Sequence, residues 1–288
     1  MEKCDILIIG AGAAGIAAAK AAAERGNAKV LLVDRKAKMG GILLQCAHYG
    51  FGAGLNGPQY AEKMLEDFPD TVQLCLNTTV LSVSNNREAL LASPDFGRKT
   101  VHFAQLILAV GCLETPIGAL PVAGTRPDGV YTAGQMQEMM NLHGYIPEGP
   151  VVILGSGDIG LVMAKQLAEV GLSVTIAERE EKCGGLIRNQ KCLTEYPITL
   201  RCRTTLTEVY GEARLEAVRL SDGEYLPCKT LLIAAGLRPD RNLVYGMEHV
   251  PWLTLCGNCN TVHPMVEGVI NEGNRAGITA CERICGNL

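Results

Sequence analysis

One pattern occurs twice in this 288-residue chain, and it limits the fold more than any other feature. The first copy opens with CDILIIG (4–10), a short apolar and β-branched run. GAGAAG (10–15) follows, then an alanine-rich stretch to Arg25 that stops at Gly26, then KVLLVD (29–34). The order is strand, glycine turn, helix, strand, acid. Each glycine has its own task there: a tight turn, close approach of backbone to a pyrophosphate, and close packing of helix on strand. The phosphates of such a ligand sit on the N–H groups of the helix start, where the dipole favours negative charge. Asp34 stands at the spacing that holds an adenosine ribose.

The second copy runs from PVVILGSGDIG (150–160) through a helix at 161–170, closed by Gly171, to LSVTIAE (172–178), which ends in Glu178. The likeness extends further. VDRKAKMGGIL (33–43) parallels AEREEKCGGLI (177–187), with the acid and the double glycine both offset by 144 residues (178 − 34 and 184 − 40). A single G-x-G-x-x-G is weak evidence, because glycines also serve merely to pack a helix on a strand. Two copies in the same context specify two dinucleotide sites. The expected fold is α/β, with two Rossmann-like domains, the second inserted in the first and each carrying a β-meander. The boundaries are expected at 1–118 plus 250–288 for one domain and 119–249 for the other.

Three more apolar strands end in glycine turns: QLILAVG (105–111), TLLIAAG (230–236) and WLTLCGN (252–258). Between them, 79–103 and 204–228 alternate apolar and polar residues around turn residues, as antiparallel meanders do. The segments 114–129 and 236–242 are rich in proline and glycine and read as linkers. With 48% hydrophobic residues the chain can bury a sizeable core, and 33 glycines suit α/β packing with many turns. A net charge of −4 gives no electrostatic reason to expect nucleic acid. The sequence holds no apolar run long enough to span a membrane and no leader pattern, so a soluble, cytoplasmic protein is expected. In that setting its 12 cysteines read as reduced thiols, metal ligands or redox groups rather than a disulfide framework.

The paired glycine units, the LILAVG and LLIAAG strand ends and the late CGN resemble the two-dinucleotide-binding-domain flavoproteins of the pyridine nucleotide-disulfide oxidoreductase superfamily. Within it, GGILLQCAHYGFG, GCLETPIGALPVAGTRPDGVYTAGQMQ, GGLIRNQKCL and CGNCNTVHPMVEGV look most like the flavoprotein subunits that accompany glycerol-3-phosphate, opine or proline dehydrogenases. That resemblance implies FAD in the first domain, completed by the C-terminal segment, and NAD(H), in preference to NADP(H), in the inserted one. Carried over residue by residue, it gives Gly10, Gly12, Ala14, Gly15, Asp34, Arg35, Gly41, Val80, Gly111, Gly257 and Asn258 to FAD. It gives Gly155, Gly157, Asp158, Ile159, Gly160, Glu178 and Gly236 to the nicotinamide cofactor. Arg179, beside Glu178, is of a type that accommodates a 2′-phosphate.

There are departures from the superfamily. In its disulfide reductases the double glycine leads into two cysteines, but here the matching positions hold Leu43 and His48, and Cys46 is out of register with both. No C-x-x-C interrupts the second domain. Only roughly twenty residues separate Gly236 from Gly257, fewer than usual, which is expected to bare apolar surface on the first domain.

GGILLQCAHYGFG (40–52) is therefore read as a floor under a flat cofactor, its glycines letting backbone approach. Cys46 and His48 remain the candidate catalytic residues. Cys46 is expected to be a buried thiol rather than a redox nucleophile. For His48, a contact to the flavin edge and a satisfied loop histidine stay equally open. The C-terminal segment is read as a helix with Thr261 near its N-cap and Pro264 in its first turn, aimed by resemblance at the flavin. Cys256, Cys259, Cys281 and Cys285 form a C-x2-C and a C-x3-C, a pattern compatible with a zinc or iron–sulfur site, although reduced thiols are the favoured reading.

The function expected is hydride transfer between NAD(H) and FAD by the electron-transfer subunit of a larger dehydrogenase, with a dehydrogenase or iron–sulfur partner in an oligomer or hetero-complex. The rival readings are a free-standing NADH:acceptor reductase and a non-catalytic flavoprotein that holds a complex together or senses redox state.

Overall fold

The computed structural model describes residues 2–26, 28–247 and 249–286. It divides into two compact units, 1–113 with 238–288, and 114–237, so the second is inserted in the first. The chain thus crosses over earlier, at 113/114 and 237/238, than the 118/119 and 249/250 boundaries read from sequence.

The first unit opens with β1 (Glu2–Ile9), α1 (Ala13–Glu24) and β2 (Val30–Val33). A 3-10 turn (Gly41–Gln45) and a two-stranded ribbon lead to α2 (Gly57–Leu65). Then come β3 (Gln73–Cys75) and the meander β4 (Thr79–Ser84), β5 (Glu88–Ser93) and β6 (Gly97–Leu108). Their sheet runs β3-β2-β1-β6-β5-β4. β1 is parallel to β2 and β6, placing Leu7 opposite both Leu31 and Leu106.

The second unit contains β7 (Val130–Thr132), α3 (Ala133–His143), β8 (Val151–Leu154), α4 (Asp158–Glu169), β9 (Val174–Ala177) and β10 (Ile198–Arg201). Its meander is β11 (Leu206–Tyr210), β12 (Ala217–Leu220) and β13 (Tyr225–Pro227), after which β14 (Thr230–Ile233) returns to the main sheet. That sheet, β7-β14-β8-β9-β10, is parallel throughout. The chain re-enters the first unit with β15 (Leu253–Leu255), parallel to β6, and ends in α5 (Val266–Ile284).

Both central sheets are buried on two faces, which is why their strands read as unbroken apolar runs. In β1, Ile6 and Ile8 face α1 and α5, while Leu7 and Ile9 face the meander side with Leu91, Val101 and Phe103. α1 is nearly all alanine because α5 lies hard against it: a Cβ on Gly273 or Gly277 would strike the carbonyl oxygens of Ala14 and Ala18.

Two expectations are corrected here. The 236–257 segment covers the meander face of the first unit, while leaving Leu237 and Tyr245 exposed. Val244 is fully buried, Trp252 is 5% exposed with its ring 5.5 Å from that of Phe103, and Leu243, Met247 and Val250 pack beside them. A 3-10 turn (Asn242–Val244) supplies part of this cover. The last helix starts at Val266 with Met265 as its N-cap, later than Thr261 and Pro264 imply. Its approach is consumed by a turn in which the N–H groups of Asn260 and Thr261 both donate to the Gly257 carbonyl. Among the described residues no helix is long and apolar enough to cross a membrane.

Candidate functional site

The repeated sequence units build the same hydrogen-bond network at two places. After β1 the chain turns at Gly10, whose φ of +103° L side chains rarely adopt, and the same occurs after β8 at Gly155 (φ +104°). A Cβ at Gly10 would sit 2.5 Å from the Ala109 carbonyl oxygen, so the first glycine of the motif is steric as well as conformational. Gly15 and Gly160, the third glycines, are packing residues, since a Cβ there would run into the carbonyl oxygen of Gly10 or Gly155.

The second glycine of each motif is different. A Cβ on Gly157 meets nothing within 4 Å, and one on Gly12 meets only the Gly41 Cα at 3.8 Å. Both residues are N-caps without a side-chain cap, so no cap side chain satisfies the first N–H groups of α1 and α4. This is a cradle that a side chain would fill, and its donors suit a pyrophosphate. Gly111 also has nothing within 4 Å of a built Cβ, and Gly236 only the Thr115 hydroxyl oxygen at 3.8 Å.

The acids are held alike. Asp34 accepts the Ala11 N–H on Oδ2 at 2.6 Å and the Lys36 N–H on Oδ1 at 2.7 Å. Glu178 accepts the Ser156 N–H on Oε2 at 2.8 Å and the Glu180 N–H on Oε1 at 2.9 Å. The donor in each case is the residue between the first two glycines and the residue two beyond the acid. Glu178 also accepts the Ser156 hydroxyl at 2.6 Å. Burial pushes the Glu178 carboxyl up, but hydrogen bonds from Glu180, Ser156 and Arg179 outweigh it and hold the group below its ordinary range. It is an anchored anion.

Around it, three arginines are engaged with neighbouring acids: Arg179 with Glu180 (3.1 Å), Arg203 with Glu181 (2.6 Å), and Arg201 with Asp222 (3.1 Å) and Glu224. Asp158, expected at the nucleotide, accepts from the Leu186 N–H (2.8 Å) and the Asn189 amide (2.7 Å) and thereby ties down the 184–189 loop. Ile159 packs, partly buried, against the core.

In the first unit, Ala14 is buried, and a Cβ on Gly257 would lie 2.8 Å from its methyl. Arg35 is exposed and lines a groove of about 540 Å³ with Asn77, Thr79, Ser93 and Arg98. Val80, in β4, packs its partly buried side chain against the core. Asn258 accepts the His263 N–H on Oδ1 at 3.0 Å.

Cys46 donates to the Ile42 carbonyl (3.3 Å) and packs beside Gly57 at the start of α2, where burial pushes its thiol up to about 12. His48 is half-buried, its ring 5.2 Å from Phe51. All twelve cysteines are free, and no three candidate ligands gather for a metal among the described residues. The Cys256 side chain lies in the helix-side core and that of Cys259 in the meander-side core, Cys281 donates to the Ala22 carbonyl on α1, and Cys285 is exposed. Sequence reasoning missed Ala11, Ser156 and Glu272. The first two sit in the variable positions of the glycine motif, and Glu272 lies fifteen residues beyond the N–H it holds.

Two glycine-turn cradles, each with a carboxylate at the neighbouring strand end, define a protein built for two dinucleotides. Comparison with known proteins agrees: the profile of the family described as pyridine nucleotide-disulphide oxidoreductase matches residues 4–252, and the chain belongs to that family. Its cofactors are FAD and NAD(P)H. Among curated relatives, an opine oxidase subunit of Agrobacterium tumefaciens (strain Ach5) is 28% identical over 272 residues, covering 83% of this chain and 53% of that protein. Hydrogen cyanide synthase subunit HcnB of Pseudomonas protegens is 31% identical over 280 residues, covering 84% and 59%. The chain thus spans little more than half the length of these relatives. In fold it is similar to T. acidophilum thioredoxin reductase, with TM-score 0.80, 19% identity and coverage of 99% and 100%. It is also similar to L-proline dehydrogenase from P. horikoshii, with TM-score 0.74, 17% identity and coverage of 99% and 56%.

Proposed function

We propose that this chain is the NAD(H)-linked flavoprotein subunit of a multi-subunit dehydrogenase. FAD occupies the first unit, NAD(H) the second, and electrons pass to a partner carrying a dehydrogenase or iron–sulfur centre in the cytoplasm. The observation that supports this reading most is the duplicated cradle, in which Ala11 with Asp34 and Ser156 with Glu178 repeat one network under an open second glycine. The hydride chemistry is supplied by the cofactors themselves. This chain's residues bind and orient: α1 and α4 present N–H groups to phosphates, and Asp34 and Glu178 take the ribose hydroxyls. Gly41, Gly111, Gly257 and Asn258 face FAD with backbone or a short amide.

A thiol relay has no place in the proposal, because Cys46 is buried against α2 and held neutral. The assembly rests on relatives that are themselves named as subunits. Anaerobic NADH should bleach the flavin of the purified chain, and dyes should sustain turnover without a partner. Protein isolated with its native neighbours should carry the partner, and only then reduce the natural acceptor. Colourless protein, or a flavin that NADH leaves oxidised, overturns the oxidoreductase reading. Full turnover of the lone chain on a natural small acceptor overturns the multi-subunit reading and favours a free-standing reductase.

A further inference from the structure

The meander of the first unit carries, on its face away from the core, a groove of about 540 Å³. Its floor follows from register. Thr79 on β4 stands opposite Ala92 on β5, and Ala92 opposite Arg98 on β6, so the three side chains share one face. The next row, Val80 and Leu91, turns the other way and packs with the core. Ala92 is the small residue in the middle. It leaves a trough two strand spacings wide, about 10 Å, between Thr79 and Arg98.

Arg35 lines the trough from the end of β2. The Thr78 N–H donates to the Asp34 carbonyl (2.9 Å) and the Asn77 N–H to that of Lys36 (3.1 Å), which fixes this loop beside the start of β4. Arg35 and Arg98 are both exposed, and among the described residues neither meets an acid, whereas Arg25, Arg179, Arg203 and Arg214 all do. The acids beside them in the chain do not neutralise them. Asp34 is spent on the Ala11 and Lys36 N–H groups, and Asp95 lies at the hairpin tip, outside the lining. Two like charges around one trough repel each other, and an anion between them turns that repulsion into attraction. Neutral donors join them: Asn77 supplies an amide, and Ser93, 7% exposed, accepts the Asp95 N–H (3.3 Å) and keeps its O–H to donate.

A guanidinium fork matches two oxygens of one anion. A carboxylate offers two oxygens, enough for one fork, whereas a phosphoryl group offers three and accepts two forks and a hydroxyl. The volume is that of a small-molecule site rather than of a bare ion, and Ala92 and Pro94 give an apolar floor for an organic remainder. We propose that this groove binds the phosphoryl group of a small phosphorylated molecule other than FAD or NAD(H). The proposal goes beyond the flavoprotein reading, in which the cofactor phosphates sit on the N–H groups of α1 and α4.

The test is a calorimetric titration of pyrophosphate into the FAD-loaded protein with NAD+ at saturation, and malonate as the carboxylate control. Wild type should bind pyrophosphate and keep its FAD. Arg98→Gln should bind it roughly ten- to a hundredfold more weakly, having lost a charge-assisted fork. Arg98→Lys should recover only part of that loss, because lysine keeps the charge but not the fork. Arg98 is exposed and holds no other element, so both variants should keep wild-type FAD content and melting temperature without pyrophosphate. Pyrophosphate entering a glycine-turn cradle would be indifferent to Arg98. Wild type that binds none, or Arg98→Gln that binds it equally well, therefore overturns the proposal. So does pyrophosphate that expels FAD, which would make the groove part of the flavin site. Malonate bound as tightly as pyrophosphate, and equally by Arg98→Lys, overturns the phosphoryl assignment. Protein isolated without FAD refutes the flavoprotein reading instead, and the same comparison of wild type with Arg98→Gln then still decides the groove.

Discussion

Two glycines three residues apart in GAGAAG should give opposite phenotypes when changed to alanine. Gly12 has φ −78° and ψ −172°, extended backbone that any residue adopts, and its new methyl would meet only the Gly41 Cα at 3.8 Å. Alanine gains about 0.4–1 kcal/mol by restricting the unfolded chain and loses about 0.5–1 kcal/mol as a poor N-cap. The apoprotein should therefore melt within about 3 °C of wild type. FAD should suffer, because the methyl occupies the space through which a pyrophosphate reaches the α1 N–H groups. Losing one such charge-assisted bond costs about 1.5–3 kcal/mol, or roughly ten- to a hundredfold in affinity.

Gly15→Ala puts its methyl into the Gly10 carbonyl oxygen, a backbone atom that cannot swing away. The expected loss is about 3 kcal/mol, a fall in melting temperature of roughly 6–12 °C. Calorimetry of the apoproteins and flavin fluorescence titration separate the two effects. The second motif supplies a replicate: Gly157→Ala should spare the fold and weaken NADH, while Gly160→Ala should damage the fold. The reasoning fails if Gly12→Ala binds FAD like wild type, or if Gly15→Ala is as stable as Gly12→Ala.

NADH should reduce the flavin faster than NADPH, since Glu178 is an anchored anion and the arginines beside it are paired with acids. Glu178→Gln should narrow that preference about tenfold in stopped-flow reduction, and a wild type that prefers NADPH refutes the assignment. Cys46→Ser should leave flavin reduction by NADH nearly intact, whereas a charge-transfer band that vanishes in this variant would place a thiolate at the flavin. Burial raises the Cys4, Cys46 and Cys228 thiols from 9.0 to about 12, so folding favours their neutral form. That stability is fully present below about pH 9 and is lost as the unfolded thiols ionise between pH 9 and 12, so the melting temperature should drop across that window and not below it.

Which parts of this were legible in the sequence follows from the range of the forces involved. The cradles are local: strand, glycine turn, helix and acid all lie within some thirty residues, and each leaves a compositional mark. The meanders at 79–103 and 204–228 declared themselves by alternation, and they appear as β4-β5-β6 and β11-β12-β13. The helix start near residue 261 was misjudged because Thr261 and Pro264 are good N-terminal residues in isolation. Here the Thr261 N–H is claimed by the Gly257 carbonyl, and the N–H of His263, just before Pro264, by Asn258. The covering of the first unit by Val244 and Trp252 is a contact across more than a hundred residues, with Phe103 and Leu106, and loop length alone does not reveal it. Glu272 reads from sequence as one more acid on an amphipathic helix. Only the fold shows that it is turned inward.

The two cradles differ in how many elements close them, and that difference bears on their division of labour. The second is bounded by α4, Glu178 and the 184–189 loop, which hangs on Ser156 and Asp158: Gly184 N–H donates to the Ser156 hydroxyl and Gly185 N–H to its carbonyl, both at 2.9 Å. The first has the equivalent tie, Gly40 N–H to the Ala11 carbonyl at 2.8 Å. It also has α2 packed on the 41–46 turn, α5 lying along α1, and the Gly257–His263 turn fixed by Glu272 and Arg241. A ligand in the first cradle lies, on the proposed reading, among more of these fastenings than one in the second. On the proposed reading, that is the arrangement required when one cofactor stays through many turnovers and the other must depart after each.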